Sequence, residues 1–190
     1  NQVASARLNQ TDVTIIRATN TGEDGFDLFI EAAEADTLRQ ALTDAGAMSV
    51  SETVAEVLRI EAGIPRYGVD MDETTIVTET NLEDAVSFTK GCYLGQEIIV
   101  RIKHRGHVAK KLTGMILESD ASIDAGAKVF SSDDKEIGRV TSFTFSPRLD
   151  RKIALGYVKY DYLAAGTAVR VSDVKGVTTA LPFVRGSWIT

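Results

Sequence analysis

The chain has 190 residues, a net charge of −6 and one cysteine. That length can bury a core in one large domain or two small ones, and the acidic balance argues against generic nucleic-acid binding, which needs a basic face. A lone cysteine excludes an internal disulfide, and no apolar run approaches the roughly 20 residues that span a bilayer, so a cytoplasmic protein with no membrane partner is expected.

Nothing at the start reads as a signal peptide. Asn1 is not methionine, and NQVASARL resembles neither a leader nor a tag, so a processed or truncated chain is the simplest expectation. Two alternating segments, 13–18 and 26–31, flank the turn-rich TNTGEDG and predict a β-hairpin. Helical spacing follows from Ala35 to Ala45, with Leu38, Ala41 and Leu42 on one face and Gly46 as a stop. Ser49 and Glu52 have capping-box spacing and predict a second helix, carrying Val54, Val57 and Leu58 and ending at Gly63. Two strands and then two helices point to an α+β half-domain.

Residues 63–90 read as a long solvated connection, with six acids and no base between Asp70 and Asp84. A cation site in its DMDE stretch lacks the ligand spacing of a calcium loop. Ile98, Ile99 and Ile102 then predict a short helix starting near Gly95. From Lys111 on, six short β-rich stretches recur without a helix between them: 112–117, 128–131, 137–145, 153–160, 168–172 and 177–184. Turn residues, including Gly126, Pro147, Gly166 and Gly176, separate them. This texture predicts a small antiparallel barrel, and the boundary is drawn between 1–107 and 108–190.

The segment Lys90-Gly-Cys-Tyr-Leu-Gly-Gln-Glu97 carries the most chemistry. Cys92 sits ahead of the predicted helix start, where unpaired N–H groups and the helix dipole favour an anion, and Lys90 is two residues away. A free cysteine is equally often a small buried hydrophobe, and the local sequence leaves both readings standing. Residues 101–111, RIKHRGHVAKK, gather five basic residues, both histidines and no acid. They fit an anionic partner or a solvated helix end and linker. His104, His107 and Cys92 match no standard zinc spacing, and no metal site is expected.

Together these stretches resemble a known family. KGCYLGQE is similar to the K-G-C-Y-x-G-Q-E signature of YgfZ-like proteins, the folate-binding branch of the glycine-cleavage T-protein (aminomethyltransferase) superfamily. TGEDGFDLF resembles the superfamily's T-G-E-D-G turn, and LRIEAGIPRYGVDMDE its L-R-x-E-A-G-x-x-x-Y-G-x-D-M-D-E block. ALGYV and LPFVRGSW look like the last strands of its barrel.

The resemblance implies part of a ferredoxin-like folate-binding domain followed by the barrel, within a three-domain ring that binds folate near its centre. It implies tetrahydrofolate or a reduced derivative as cofactor, bound by Asp27 at the pterin edge and by Trp188; the bland alternatives are an exposed strand residue and a core tryptophan. It implies a reactive role for Cys92 and Lys90, and iron–sulfur client or assembly proteins as partners. The function it implies is an accessory one in iron–sulfur enzyme assembly or repair, with tetrahydrofolate-dependent aminomethyl transfer as the rival. Two departures disfavour the rival: Ala55 stands where T-proteins carry a folate-contacting arginine, and Cys92-Tyr93 replaces their D-F. Their catalytic aspartate would lie upstream of this chain.

Overall fold

The computed structural model describes residues 2–8, 11–119 and 121–188. They divide into two compact units, one formed by residues up to Arg59 together with those from Arg185 on, the other by Ile60–Val184.

The first unit is an antiparallel sheet with two helices. Strands β1 (Val3–Leu8), β2 (Thr11–Ala18) and β3 (Gly25–Phe29) lie in sequence order. The expected hairpin is β2–β3, with Ile16 opposite Asp27 and Arg17 opposite Phe26. β1 was not foreseen, because VASARL has too few large apolar residues to show a period. After it come α1 (Ala35–Asp44) and α2 (Glu52–Glu61). The cap of α2 differs from expectation. Ser51 Oγ, rather than that of Ser49, accepts from the Val54 N–H at 3.3 Å, the usual way a serine satisfies an orphan first-turn donor. Inside α2, Arg59 is buried and grips Glu56 with two guanidinium nitrogens, Nε at 2.9 Å and Nη2 at 2.5 Å.

The second unit contains the expected barrel. Strands β4 (Lys110–Leu117), β5 (Lys128–Ser131), β6 (Glu136–Ser146), β7 (Arg151–Lys159), β8 (Ala168–Val171) and β9 (Val174–Thr179) close in the order β4-β7-β6-β5-β8-β9. All pairings are antiparallel, and β9 returns to β4. The last strand starts earlier than expected. The turn falls at Ser172, whose φ is +51°, and Gly176 lies inside β9. A Cβ there would stand 2.5 Å from the Ile116 carbonyl oxygen, so the glycine permits close strand approach.

β7 explains the long apolar run IALGYV. Ala154 and Val158 join Met115, Leu117, Val129 and Val140 in one cluster, while Ile153, Leu155 and Tyr157 join Ile60 and Leu112 in another. Alternation along a strand sends these sets to opposite faces, and both are covered.

The segment after α2 supplies that second cover. Gly63 (φ +69°) ends the helix, and a Cβ on it would meet Leu181 at 2.9 Å. The expectation of a solvated connection at 63–90 fails here, since Asp70, Glu79 and Thr80 are buried. Asp70 accepts from Thr141 Oγ1 at 2.5 Å, Ser142 Oγ at 2.7 Å and the Arg66 N–H at 2.9 Å. Its hydroxyl donors flank the bulge between Val140 and Ser142 in β6. Glu61 accepts from the fully buried Ser146 hydroxyl. Two acids of the LRIEAGIPRYGVDMDE block, Glu61 and Asp70, therefore clasp the barrel.

Candidate functional site

The two sequence-predicted ligand residues of the first unit attach to one hairpin. Asp27, in β3, is half-buried and accepts from Asn20 Nδ2 at 3.1 Å. The strand faces differ from a simple alternation: Phe26 and Phe29 are 62% and 56% exposed, whereas Leu28 is half-buried. Trp188 is half-buried and tied to the same turn, its N–H donating to the Gly22 carbonyl at 3.0 Å.

Arg17 forms a corner with Trp188, and no sequence pattern had singled it out. The Arg17 guanidinium lies 4.7 Å from the Trp188 ring centre and pairs through Nε with Asp24 at 2.8 Å. A cation over an indole face is attracted by the ring quadrupole. The available signal was a lone arginine closing the apolar strand TDVTIIRA. Glu23 fastens the C-terminal segment, accepting from both the N–H (2.9 Å) and the hydroxyl (2.5 Å) of Ser187. These two bonds, the hydroxyl's first, hold the Glu23 carboxyl below its usual pKa of 4.5. Ser187 Oγ in turn accepts from the Asp24 N–H at 2.9 Å.

The hairpin thus carries a half-buried carboxylate, Asp27, and at its turn an indole, Trp188, with a cation over its face. Asp27 Oδ1 is spent on Asn20; Oδ2 has no protein partner among the described residues.

Cys92 and Lys90 belong to the second unit. α3 (Gln96–Arg105) has Gly95 as its N-cap at φ +84°, so Cys92 precedes the cap by a full turn of chain. Cys92 is free and exposed, which answers the question of whether it packs as a buried hydrophobe. The Lys90 ammonium stands 5.0 Å over the Tyr93 ring, and the Lys90 backbone N–H donates to Ser87 Oγ at 3.2 Å. In the DMDE stretch Asp70 is committed to the barrel, and Asp72 Oδ1 accepts from Thr74 and Thr75. Thr74's hydroxyl and amide, in that order, hold Asp72 low. No cluster of three or more His, Cys, Asp or Glu among the described residues could hold a metal.

Two buried groups of this unit are shifted by desolvation. Burial pushes Glu79 above 4.5, against the pull of Lys110 at 3.8 Å. Tyr157 is pushed up to about 12, mainly by burial and then by the neighbouring Asp70 charge.

Comparison with known proteins covers both units. Residues 1–90 match the GCVT N-terminal domain, and residues 110–184 match the glycine cleavage T-protein C-terminal barrel domain. The aminomethyltransferase of Aquifex aeolicus is 37% identical over 184 residues, 94% of this chain and 51% of that protein. That of Streptomyces avermitilis is 36% identical over 90% of this chain and 49% of its own length. The crystal structure of glycine cleavage system aminomethyltransferase T from Bartonella henselae superposes with a TM-score of 0.81 at 28% identity, covering 94% of this chain and 51% of that one. The chain therefore spans about half the length of these relatives. No helix among its described residues is long and apolar enough to cross a membrane.

Proposed function

The chain belongs to the glycine cleavage T-protein superfamily, and we propose that it supplies one wall of the folate site and the barrel of a tetrahydrofolate-dependent aminomethyltransferase. The observation that carries this reading is the set of relatives: proteins 36–37% identical over at least nine-tenths of this chain are aminomethyltransferases. It displaces the iron–sulfur accessory role that the KGCYLGQE signature implied as first choice. The superfamily's cofactor would draw on two residues of the first unit. Asp27 would hold the N–H edge of the pterin through Oδ2, with Asn20 fixing the carboxylate, and Trp188, braced by Arg17, would bound the ring system. Bound tetrahydrofolate supplies the nitrogen nucleophiles that receive the one-carbon group; the chain's own part is to hold and orient it.

A second reading keeps the iron–sulfur accessory function, with assembly proteins or client enzymes as partners. It rests on the exposed Cys92 thiol and on Ala55 at the position of the T-protein arginine.

One pair of variants in a protein of the relatives' full length separates the two. Aminomethyl transfer to tetrahydrofolate should be measurable. Asp27→Asn should weaken folate binding about tenfold, the loss of one charge-assisted bond, and Cys92→Ser should leave transfer unchanged. A protein that binds folate but transfers nothing, and whose Cys92→Ser form lowers iron–sulfur enzyme activity in cells at normal abundance, would establish the second reading.

A further inference from the structure

The basic tract 101–111 is not absorbed by the folate corner, and the second unit shows where part of it goes. Its charges do not form one patch. Arg101 pairs with Glu97 at 2.7 Å and Lys110 with Glu79 at 3.8 Å. Lys103, His107 and Lys111 instead line a cleft of about 240 Å³, together with Thr78, Phe88, Tyr160 and Glu83, the last paired with Lys111.

Three features of this cleft point to a ligand. The His107 and Tyr160 rings stack at 3.7 Å with planes 13° apart, and His107 Nδ1–H donates to the Val108 carbonyl at 3.0 Å, which fixes the imidazole. This is a ready platform for another flat ring, because its own ordering cost is already met. The Lys103 ammonium sits 3.3 Å from the Phe88 ring centre and has no carboxylate partner among the described residues. Lys111 is shared with Glu83 at 3.4 Å, so it carries little free charge. Finally, Thr78 Oγ1 is buried and makes no hydrogen bond, and an orphan hydroxyl costs free energy until something meets it.

We propose that this cleft binds a small planar aromatic anion with one carboxylate or phosphate group. The ring lies on the His107–Tyr160 stack, the anionic group meets the Lys103 ammonium, and Thr78 hydrogen-bonds the ligand. The cleft's size agrees: about 150 Å³ of apolar cavity already accepts benzene, so there is room for one or two rings. Apolar walls disfavour a bare hydrated ion. One uncommitted ammonium calls for one negative group. The proposal is independent of folate binding in the first unit.

Calorimetric titration of the 190-residue chain with 2-naphthoate tests it, against 2-naphthamide, cyclohexanecarboxylate and inorganic phosphate at matched ionic strength. Naphthoate should bind at least tenfold more tightly than each of the other three. Lys103→Gln should bring naphthoate down to the amide's affinity. His107→Ala should weaken naphthoate and naphthamide alike, with His107→Phe restoring both. Far-UV circular dichroism and the urea midpoint of each variant, matched to wild type, check that the second unit remains folded. Equal binding of naphthoate and naphthamide overturns the proposal, as does phosphate matching naphthoate, wild-type affinity in Lys103→Gln and His107→Ala, or no binding of any probe.

Discussion

The barrel and the three-stranded sheet are both made of short antiparallel strands, yet they bury side chains very differently. Among the described residues of the sheet unit, Val13 and Leu38 are the buried hydrophobics, while Val3, Phe26, Phe29 and Met48 are more than half exposed. In the barrel unit β7 alone buries six consecutive residues, Ile153–Val158. Closing a sheet removes its edges and encloses one face, and the 60–80 segment covers part of the other. An open sheet has no such closure, and its exposed phenylalanines show how much of its surface lies outside any core. The two units should therefore respond unequally to the same chemical insult.

The largest difference is expected from cavity formation. Leu155 is completely buried, so Leu155→Ala should cost about 3 kcal/mol in urea unfolding of the barrel. Phe26→Ala removes a larger side chain from the sheet unit but should cost no more than about 0.5 kcal/mol, because its ring is already in water. Equal losses would mean that the sheet's faces are covered in solution.

Buried and exposed carboxylates sharpen the comparison at a smaller scale. Asp70 is 3% exposed and satisfies two hydroxyls and an amide. Asp70→Ala should cost about 2 kcal/mol, mainly from the donors left unpaired. Asp27→Ala in the sheet unit should stay within about 0.5 kcal/mol, since its one protein partner, Asn20, is exposed to water. A stability loss at Asp27 as large as that at Asp70 would recast Asp27 as a structural residue and remove it from the proposed ligand corner.

The same contrast governs what could be read from the sequence. The barrel strands were legible because each is local and announces itself by β-rich composition between turn residues. The misplaced start of β9 arose because Gly176 looks like a turn and is in fact a point of close contact with Ile116, sixty residues earlier. Asp70, in the 63–90 segment, was misjudged for a related reason, and Glu61 just before it behaves alike. Asp70 and Glu61 look solvated until partners more than seventy residues away, Ser142 and Ser146, are brought to them, and no local pattern encodes that. Asp27 and Trp188 were singled out from family motifs, whereas Arg17, which stacks on Trp188 at the turn corner, needed the C-terminal segment to be brought back to the hairpin.

The smallest expected effect lies at that corner and concerns the tie between Glu23 and Ser187. The carboxylate accepts both Ser187 donors, which favours the ionised form and lowers the folded pKa below the unfolded 4.5. The sign follows directly: the folded state binds its proton less readily, so the tie contributes above pH 4.5 and is lost as pH falls through the depressed folded value. Glu23 is exposed and solvent-screened, so its protonation should not move the melting midpoint measurably. A local probe should see it. The Ser187 amide resonance should titrate below pH 4.5 in step with the Glu23 carboxyl carbon, and Ser187→Ala should return the Glu23 midpoint toward 4.5, because the larger, hydroxyl bond is gone while the amide bond persists. Since Trp188 is the next residue and hydrogen-bonds Gly22, the same acid range should shift its indole resonance. If the indole is unmoved while Glu23 titrates, Trp188 is held by Arg17 and Gly22 alone, and Ser187 can be exchanged without disturbing the ring proposed to bound the pterin.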